Sequence, residues 1–271
     1  MRALSWNLFH GRDHPPDDTL HTLRSRLLRR SERGATHAQV NRSLLGEFAG
    51  VIAGWDWHVA LLQEVPPGWL VPLGRRCRAS GASALTSRNS LAFLRTWLAE
   101  LNPDLIASNE GGSNMLLVRA PGRILDVERI TLAARPERRR MLLARLELAE
   151  GRQVAVACLH LSVPGTKQGH DEVVRGAERA IEFAGGDPLL FGGDLNLRPA
   201  RESGAFAELG DRLGLAPPTG PHAIDHLLAR GLAVAEPPRA LPVTAREVLD
   251  ADGLRVRLSD HAPVAASFGM R

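Results

Sequence analysis

Polar side chains stand directly after apolar, strand-like runs at six places in this 271-residue chain. They are Asn7, Glu64, His160, Asp194 with Asn196, Asp225, and Asp260 with His261. Each alone has a plain structural explanation: a turn cap, a surface acid, a satisfied core histidine, a polar strand end. Together they supply the parts of a hydrolytic phosphoryl transfer. Such a site needs oxygen ligands for a cation, a base for water, a positive group over the phosphate and an acid for the leaving oxygen.

The densest of these places is Leu189-Leu190-Phe191-Gly192-Gly193-Asp194-Leu195-Asn196. Three apolar residues read as a short buried strand, and two glycines then let the backbone turn sharply or approach another group closely. Asp194 and Asn196 lie two apart, so in an extended chain both side chains leave the same face. A carboxylate can take a proton or hold a cation, while a carboxamide beside it can fix an oxygen.

The other polar groups need strands to carry them. Strands are expected at Ala3–Leu8, His58–Val65, Asn114–Val118, Ile124–Leu132, Met141–Leu148, Gln153–Leu161, Ala223–Leu228 and Pro263–Phe268. Thr19 can cap a helix in which Leu20, Leu23, Leu27 and Leu28 pack on a sheet, with Arg24, Arg26, Arg29, Arg30 and Arg33 on the solvated side. Val40, Leu44, Leu45, Phe48, Val51, Ile52 and Trp55 share the stripe of a second helix, Leu91–Leu101 reads as a third, and His170–Ala184 as a fourth. Gly74–Arg88 reads as a loop carrying Arg75, Arg76, Arg78 and Arg88. The strands come in consecutive runs, which favours sheet on sheet with helices outside. No repeat or linker divides the chain, so one domain over 1–271 is expected.

Composition narrows the class. No apolar run approaches the roughly 18–20 residues of a membrane span. Met1–His10 enters strand-like sequence without a signal region, and Cys77 and Cys158 are too few for a disulfide framework. A cytoplasmic, monomeric protein is expected. The first hundred residues hold 13 arginines against 8 acids, and Lys167 is the sole lysine of the chain. Arginine's planar fork suits phosphates, but the general richness in Ala, Gly, Pro and Arg explains much of this excess, so composition alone does not show nucleic-acid binding.

The ordered set Trp6-Asn7, Gln63-Glu64, His160-Leu161, Gly193-Asp194-Leu195-Asn196, Ile224-Asp225-His226 and Ser259-Asp260-His261 resembles the endonuclease/exonuclease/phosphatase superfamily. That resemblance implies a four-layered α/β sandwich, two mixed β-sheets face to face with helices outside. It implies Mg2+ as cofactor, with Mn2+ as the alternative, held by Glu64 with Asn7 beside it and Asp260 as a further ligand. Asp194 would deprotonate the attacking water and Asn196 would hold a phosphate oxygen. His261 would sit over the phosphate with Asp225 on its other N–H, and His160 would stabilise the phosphate or protonate the leaving oxygen. Asn114, in Gly112-Ser113-Asn114-Met115, falls where many members place a phosphate-facing or histidine-orienting group.

Departures from the family bear on substrate. Apurinic endonucleases usually carry Tyr where His160 stands, aromatic residues where Gly210–Ala223 has none, and an acid where Phe9 stands. Abasic-site repair is thus disfavoured. No lysine run for inositol phosphates and no lipid-inserting aromatic hairpin is visible. The first expectation is a Mg2+-dependent nuclease, with Arg75, Arg76 and Arg78 and the first helix on the nucleic-acid backbone. The second is a small-molecule or lipid-headgroup phosphoesterase. The third, a binding module that has lost catalysis, is opposed by six intact motifs.

Overall fold

The computed structural model describes residues 1–86, 98, 101–110, 112–135, 138–163 and 167–270. From the N-terminus the strands are β1 (Arg2–Asn7), the short pair β2 (Glu32–Arg33) and β3 (Ala38–Gln39), β4 (Val59–Val65), β5 (Ala79–Leu85), β6 (Ser113–Arg119), β7 (Arg123–Ala133) and β8 (Arg139–Glu147). They continue with β9 (Gln153–His160), β10 (Leu189–Asp194), β11 (Asp225–Arg230), β12 (Leu232–Ala240), the short pair β13 (Glu247–Leu249) and β14 (Arg255–Arg257), and β15 (Val264–Met270). Two mixed sheets result, one ordered β12-β15-β1-β4-β6-β5 and the other β11-β10-β9-β8-β7. β1 runs parallel to β4 and β9 parallel to β10; among the described residues the other pairings of these sheets are antiparallel.

Strand periodicity sorts the side chains into three apolar layers. Between the sheets, Ala3, Val59, Leu61, Leu116 and Val118 meet Leu142, Leu146, Val156, Cys158, Leu190 and Leu227. On the outer face of the first sheet, Leu4, Trp6, Leu62 and Met115 pack under Phe48 and Ile52 of α2 (Leu45–Gly54) and Leu73 of α3 (Leu70–Cys77). On the outer face of the second, Met141, Ala157, Leu159, Phe191 and Leu228 pack under Val173, Ala177 and Ala180 of the helix Lys167–Ala184. Fully burying a Leu or Val contributes about 1.5–3 kcal/mol, against about 0–1 kcal/mol for an exposed ion pair. Apolar burial therefore holds the layers together, and the result is the expected four-layered sandwich. Cys77 and Cys158 are buried free thiols, and no described helix is long and apolar enough to cross a membrane.

Several local expectations are corrected. The first helix shrinks to α1 (Leu23–Leu28) and turns its leucines outward: Leu23 is 73% and Leu27 64% exposed, and only Ser25 is buried. Polar contacts outweigh the stripe here, because the Asn41 amide donates to the Ser25 carbonyl and the Asn102 amide to that of Arg26. The second helix begins at Leu45, since β3 takes Ala38–Gln39. The stretch from Gly74 is not a loop: Arg75 and Arg76 end α3, Arg78 is its left-handed cap and β5 follows. β5 hides in the sequence because it is made of small residues. At Gly81 a Cβ would come within 2.6 Å of the Leu117 side chain and 2.8 Å of the Leu116 carbonyl. The helix expected over 91–101 lies outside the described residues except for Leu98 and Leu101, as do positions 87–88 of the expected loop.

Candidate active site

Four of the expected polar residues reach one place by strand alternation. Ala3, Cys158, Leu190 and Leu227 point between the sheets, so Asn7, His160, Asp194 and Asp225, each an even number of residues away, point there too. The registers align them: Asp194 is opposite His160 on one side and Asp225 on the other. From the first sheet, the Asn7 amide donates to Asp194 Oδ2 at 3.0 Å, closing the seam between the sheets.

Glu64 breaks that rule. Leu62 faces the outer helices, and simple alternation would send Glu64 the same way. The register with β6 shifts between Leu62 and Val65, and Glu64 adopts a φ of 50°. This bulge re-aims the carboxylate into the cleft. Gly193 solves a different problem. With a φ of 134°, a Cβ there would sit 2.0 Å from the Leu159 carbonyl. Gly193→Ala is expected to destabilise the fold by more than about 3 kcal/mol, read by urea unfolding, because both the backbone conformation and the neighbouring strand forbid it.

His261 comes from the turn before β15. Its backbone is fixed by Trp6 Nε1, which donates to its carbonyl at 3.0 Å, and by its own N–H, which donates to Ser259 Oγ at 3.0 Å. Ser259 Oγ in turn donates to the Asn7 carbonyl at 2.6 Å. The imidazole Nδ1 lies 2.8 Å from Asp225 Oδ2, and Nε2 lies 3.7 Å from Asp194 Oδ2 and 3.9 Å from Asp260 Oδ1. Burial pulls the His261 pKa down, but the charge and hydrogen bond of Asp225, with Asp194 and Asp260, push it up to about 10. It is an imidazolium at neutral pH. Asp194 is pushed up to about 7 by burial and the Asp225 charge, against the opposing pull of His261 and the Asn7 amide. A base with a pKa near the working pH is well matched to proton removal from water.

His160 is opposite in character. Burial, then Arg139, His261 and His10, lower its pKa well below the ordinary value, and an Arg139 amino group stands 3.1–3.2 Å from its ring nitrogens. A neutral imidazole can donate a hydrogen bond to phosphate but is poorly placed to protonate a leaving group. Asn196, at a φ of 53°, donates its backbone N–H to Asp194 Oδ1 at 3.0 Å and its amide to the Leu161 carbonyl at 3.0 Å. It braces the base and keeps a second amide hydrogen for a ligand. His226 is structural: it is fully buried, with the Leu197 and Ala223 carbonyls at 3.1 Å from Nε2 and the Thr219 N–H donating to Nδ1.

Asp194, Asp225 and His261 form the described cluster closest to a metal-binding geometry. An ion bound through His261 Nε2 would have to displace the second proton that keeps this imidazole charged, while the Nδ1–H facing Asp225 would be kept. The carboxylate of Glu64 suits a cation better. It is turned into the cleft and stays partly exposed, with Asn7 at the end of the adjacent strand β1, and Asn7 Oδ1 keeps a lone pair beyond the one accepting the Phe9 N–H at 2.9 Å. The charge balance agrees. Glu64, Asp194, Asp225 and Asp260 converge here with His261, Arg139 and Arg246 as described cations and His10 beside Glu64, so a phosphate adds to an already acidic cluster that a divalent ion would relieve.

Asn114, two residues from Leu116, also points between the sheets and is fully buried; its amide donates to the Arg140 carbonyl at 2.6 Å and its Oδ1 has no partner among the described residues. The structure does not bring every expected residue here. Arg75, Arg76 and Arg78 lie at the other end of the first sheet, because β5 starts beside Arg119 and ends beside Ser113. Six strand steps separate those ends, roughly 20 Å. Conversely, the site includes His10, with Nε2 3.2 Å from Glu64 Oε2, and Arg139. Neither follows an apolar run in the way that exposed the others. The arginine triplet before Met141 was the available signal for Arg139.

Fold and site together define a hydrolase of phosphate esters built on two packed mixed sheets. Residues 4–261 match the Endonuclease/Exonuclease/phosphatase family, and the chain belongs to that family. An endonuclease/exonuclease/phosphatase family protein from Bacteroides thetaiotaomicron superposes with a TM-score of 0.67 at 14% identity, covering 100% of this chain and 95% of that one. A mannosyl-6-phosphatase from Bacteroides thetaiotaomicron VPI-5482 gives 0.65 at 13% identity, with 99% of both chains covered. The catalytic domain of human Nocturnin, with a bound sulfate anion, gives 0.62 at 18% identity, covering 99% and 94%. At these identities the likeness establishes the fold. No curated protein matches the chain.

Proposed function

We propose that this protein is a divalent-metal-dependent phosphoester hydrolase, with 1–271 as one catalytic domain. The observation that carries the reading is the chain of contacts Asn7–Asp194–His261–Asp225 across the seam between the sheets. Asp194 takes the proton of the attacking water, oriented by Asn7 and braced by Asn196. His261, charged through Asp225, faces the phosphate and is the acid within reach of the leaving oxygen, while His160 donates a neutral N–H to a phosphate oxygen. Glu64 with Asn7 Oδ1 would hold the cation, which neutralises phosphate charge; Mg2+ or Mn2+ suits these oxygens. Asp260, beside His261, orients that imidazole rather than the cation.

The substrate reading turns on an open pocket of about 340 Å³ beside His261, lined by Ile224, Ala240, Ala262 and Val264 together with His222, Asp225 and Asp260. It has room for one compact group carrying both apolar and hydrogen-bonding surface. This favours a small phosphoester over a polymer, and Arg75, Arg76 and Arg78, roughly 20 Å from Glu64, do not contribute. The nuclease reading keeps one specific support: exposed Arg24, Arg26, Arg29 and Arg30 on and after α1.

A panel of bis-p-nitrophenyl phosphate, p-nitrophenyl phosphate, plasmid DNA, single-stranded DNA and RNA separates the two. Turnover of the small esters without cleavage of the polymers is expected, and cleavage of DNA or RNA at comparable efficiency would establish the nuclease instead. The double variant Arg76→Ala, Arg78→Ala should hydrolyse the small esters within about twofold of wild type, since neither arginine reaches the site.

A further inference from the structure

We infer that His10 completes the cation site at Glu64 as a nitrogen ligand, so that the site prefers a first-row transition ion to Mg2+. This rests on the reading of Glu64 as the residue that holds the cation. His10 Nε2 lies 3.2 Å from Glu64 Oε2. Two neighbouring ligands of one ion at about 2.1 Å stand about 3.0 Å apart in octahedral geometry and about 3.4 Å apart in tetrahedral geometry. The observed separation falls between, so one ion can bind both atoms without moving either residue far.

The backbone on both sides is bent to make this approach. Phe9 and His10 have φ of 48° and 54°, and Glu64 has 50°. Non-glycine residues in that region are strained. Both side chains are largely enclosed yet still reach solvent, at 17% and 20% exposure, and a single contact between them does not account for three strained residues. The turn is nonetheless held firmly. Asn7 Oδ1 accepts the Phe9 N–H, and Gly11 packs so tightly on Trp69 that a Cβ would lie 2.5 Å from its ring. Gly112 leaves the space in which Glu64 and His10 meet: a Cβ there would stand 3.4 Å from Glu64 Cα and 3.5 Å from His10 Cε1.

A site of oxygens alone suits Mg2+, which binds imidazole poorly; adding a nitrogen favours Mn2+ and the later transition ions. The purified full chain, stripped of metal, is titrated with Mn2+ and with Mg2+ by calorimetry, and the Mn2+ complex is examined by pulsed EPR. Wild type is expected to bind Mn2+ at least about tenfold tighter than Mg2+, with electron-spin-echo modulation from a directly bound nitrogen. His10→Ala is expected to lose that modulation and weaken Mn2+ about 10- to 100-fold, and His10→Gln to keep cation binding but lose the preference. Absence of nitrogen modulation in wild type, or its survival in His10→Ala, overturns the assignment of His10 while leaving Glu64 in place. Mn2+ affinity unchanged in Glu64→Gln would instead overturn the underlying reading of the cation site.

Discussion

Asp194→Asn is expected to lower kcat by about 1,000- to 10,000-fold, the loss that follows removal of a general base that other groups cannot replace. The fold should survive. The substitution keeps the shape of the side chain and removes a buried carboxyl whose pKa is pushed up to about 7 by burial and by Asp225. The sign of the stability effect follows. A carboxyl whose folded pKa exceeds its unfolded value of 3.8 keeps its proton longer in the folded state. Wild-type stability therefore falls as pH rises through the window from 3.8 to about 7. The variant lacks that penalty but cannot accept both the Asn7 and Asn196 hydrogen bonds, so its melting temperature should change less than that of wild type between pH 5 and pH 8. In wild type, kcat/KM should rise through pH 7 as Asp194 ionises. Steady-state kinetics with calorimetric melting at pH 5 and pH 8 checks both halves. Turnover within about tenfold of wild type would remove Asp194 from proton transfer.

How far this site could be read in advance depends on which rule places each residue. Asn7, His160, Asp194 and Asp225 continue the alternation of their strands, and that pattern is visible in the sequence. Their convergence is not, because alternation names a face without naming the strand opposite. The hydrogen bond from Asn7 to Asp194 spans 187 residues. Glu64 is the instructive case: its strand's period sends it under the helices, and only the bulge at Leu62–Val65, invisible in the pattern, turns it inward. The family resemblance identified it where physical periodicity would have discarded it.

The arginines Arg75, Arg76 and Arg78 lie away from the cleft for a related reason. Charge runs say nothing about which end of a sheet they occupy, and β5, built of Ala, Ser and Gly, was not recognisable as the strand that carries Arg78 away from the cleft. The first helix failed because its leucine stripe is real but unused, overruled by the polar anchors from Asn41 and Asn102. The consequence for function is direct. The positive groups described near Asp194 and His160 are His261 and Arg139, not arginines of the first hundred residues.

Asp225→Asn should therefore strike the largest electrostatic element after the base itself. Burial alone would depress the His261 pKa; the Asp225 charge and hydrogen bond, with Asp194 and Asp260, reverse this and raise it to about 10. Without the Asp225 charge and hydrogen bond, only Asp194 and Asp260 still oppose burial, so the His261 pKa falls from about 10 and the imidazole loses its proton at lower pH than in wild type. Loss of a preorganised charge facing the transition state is expected to cost about 100- to 1,000-fold in kcat/KM. The pH profile carries the sharper signature. Wild type should keep its rate until His261 deprotonates near pH 10, whereas the variant should lose its remaining activity at far lower pH. Stability must move with it. A histidine whose folded pKa lies above 6.5 contributes stability fully present below that value and lost as pH rises towards about 10. Wild-type melting should decline over that window, and that of the variant should decline less and at lower pH. An unchanged alkaline limb in Asp225→Asn would assign the limb to a different group and leave His261 without its role as the charged partner of the phosphate.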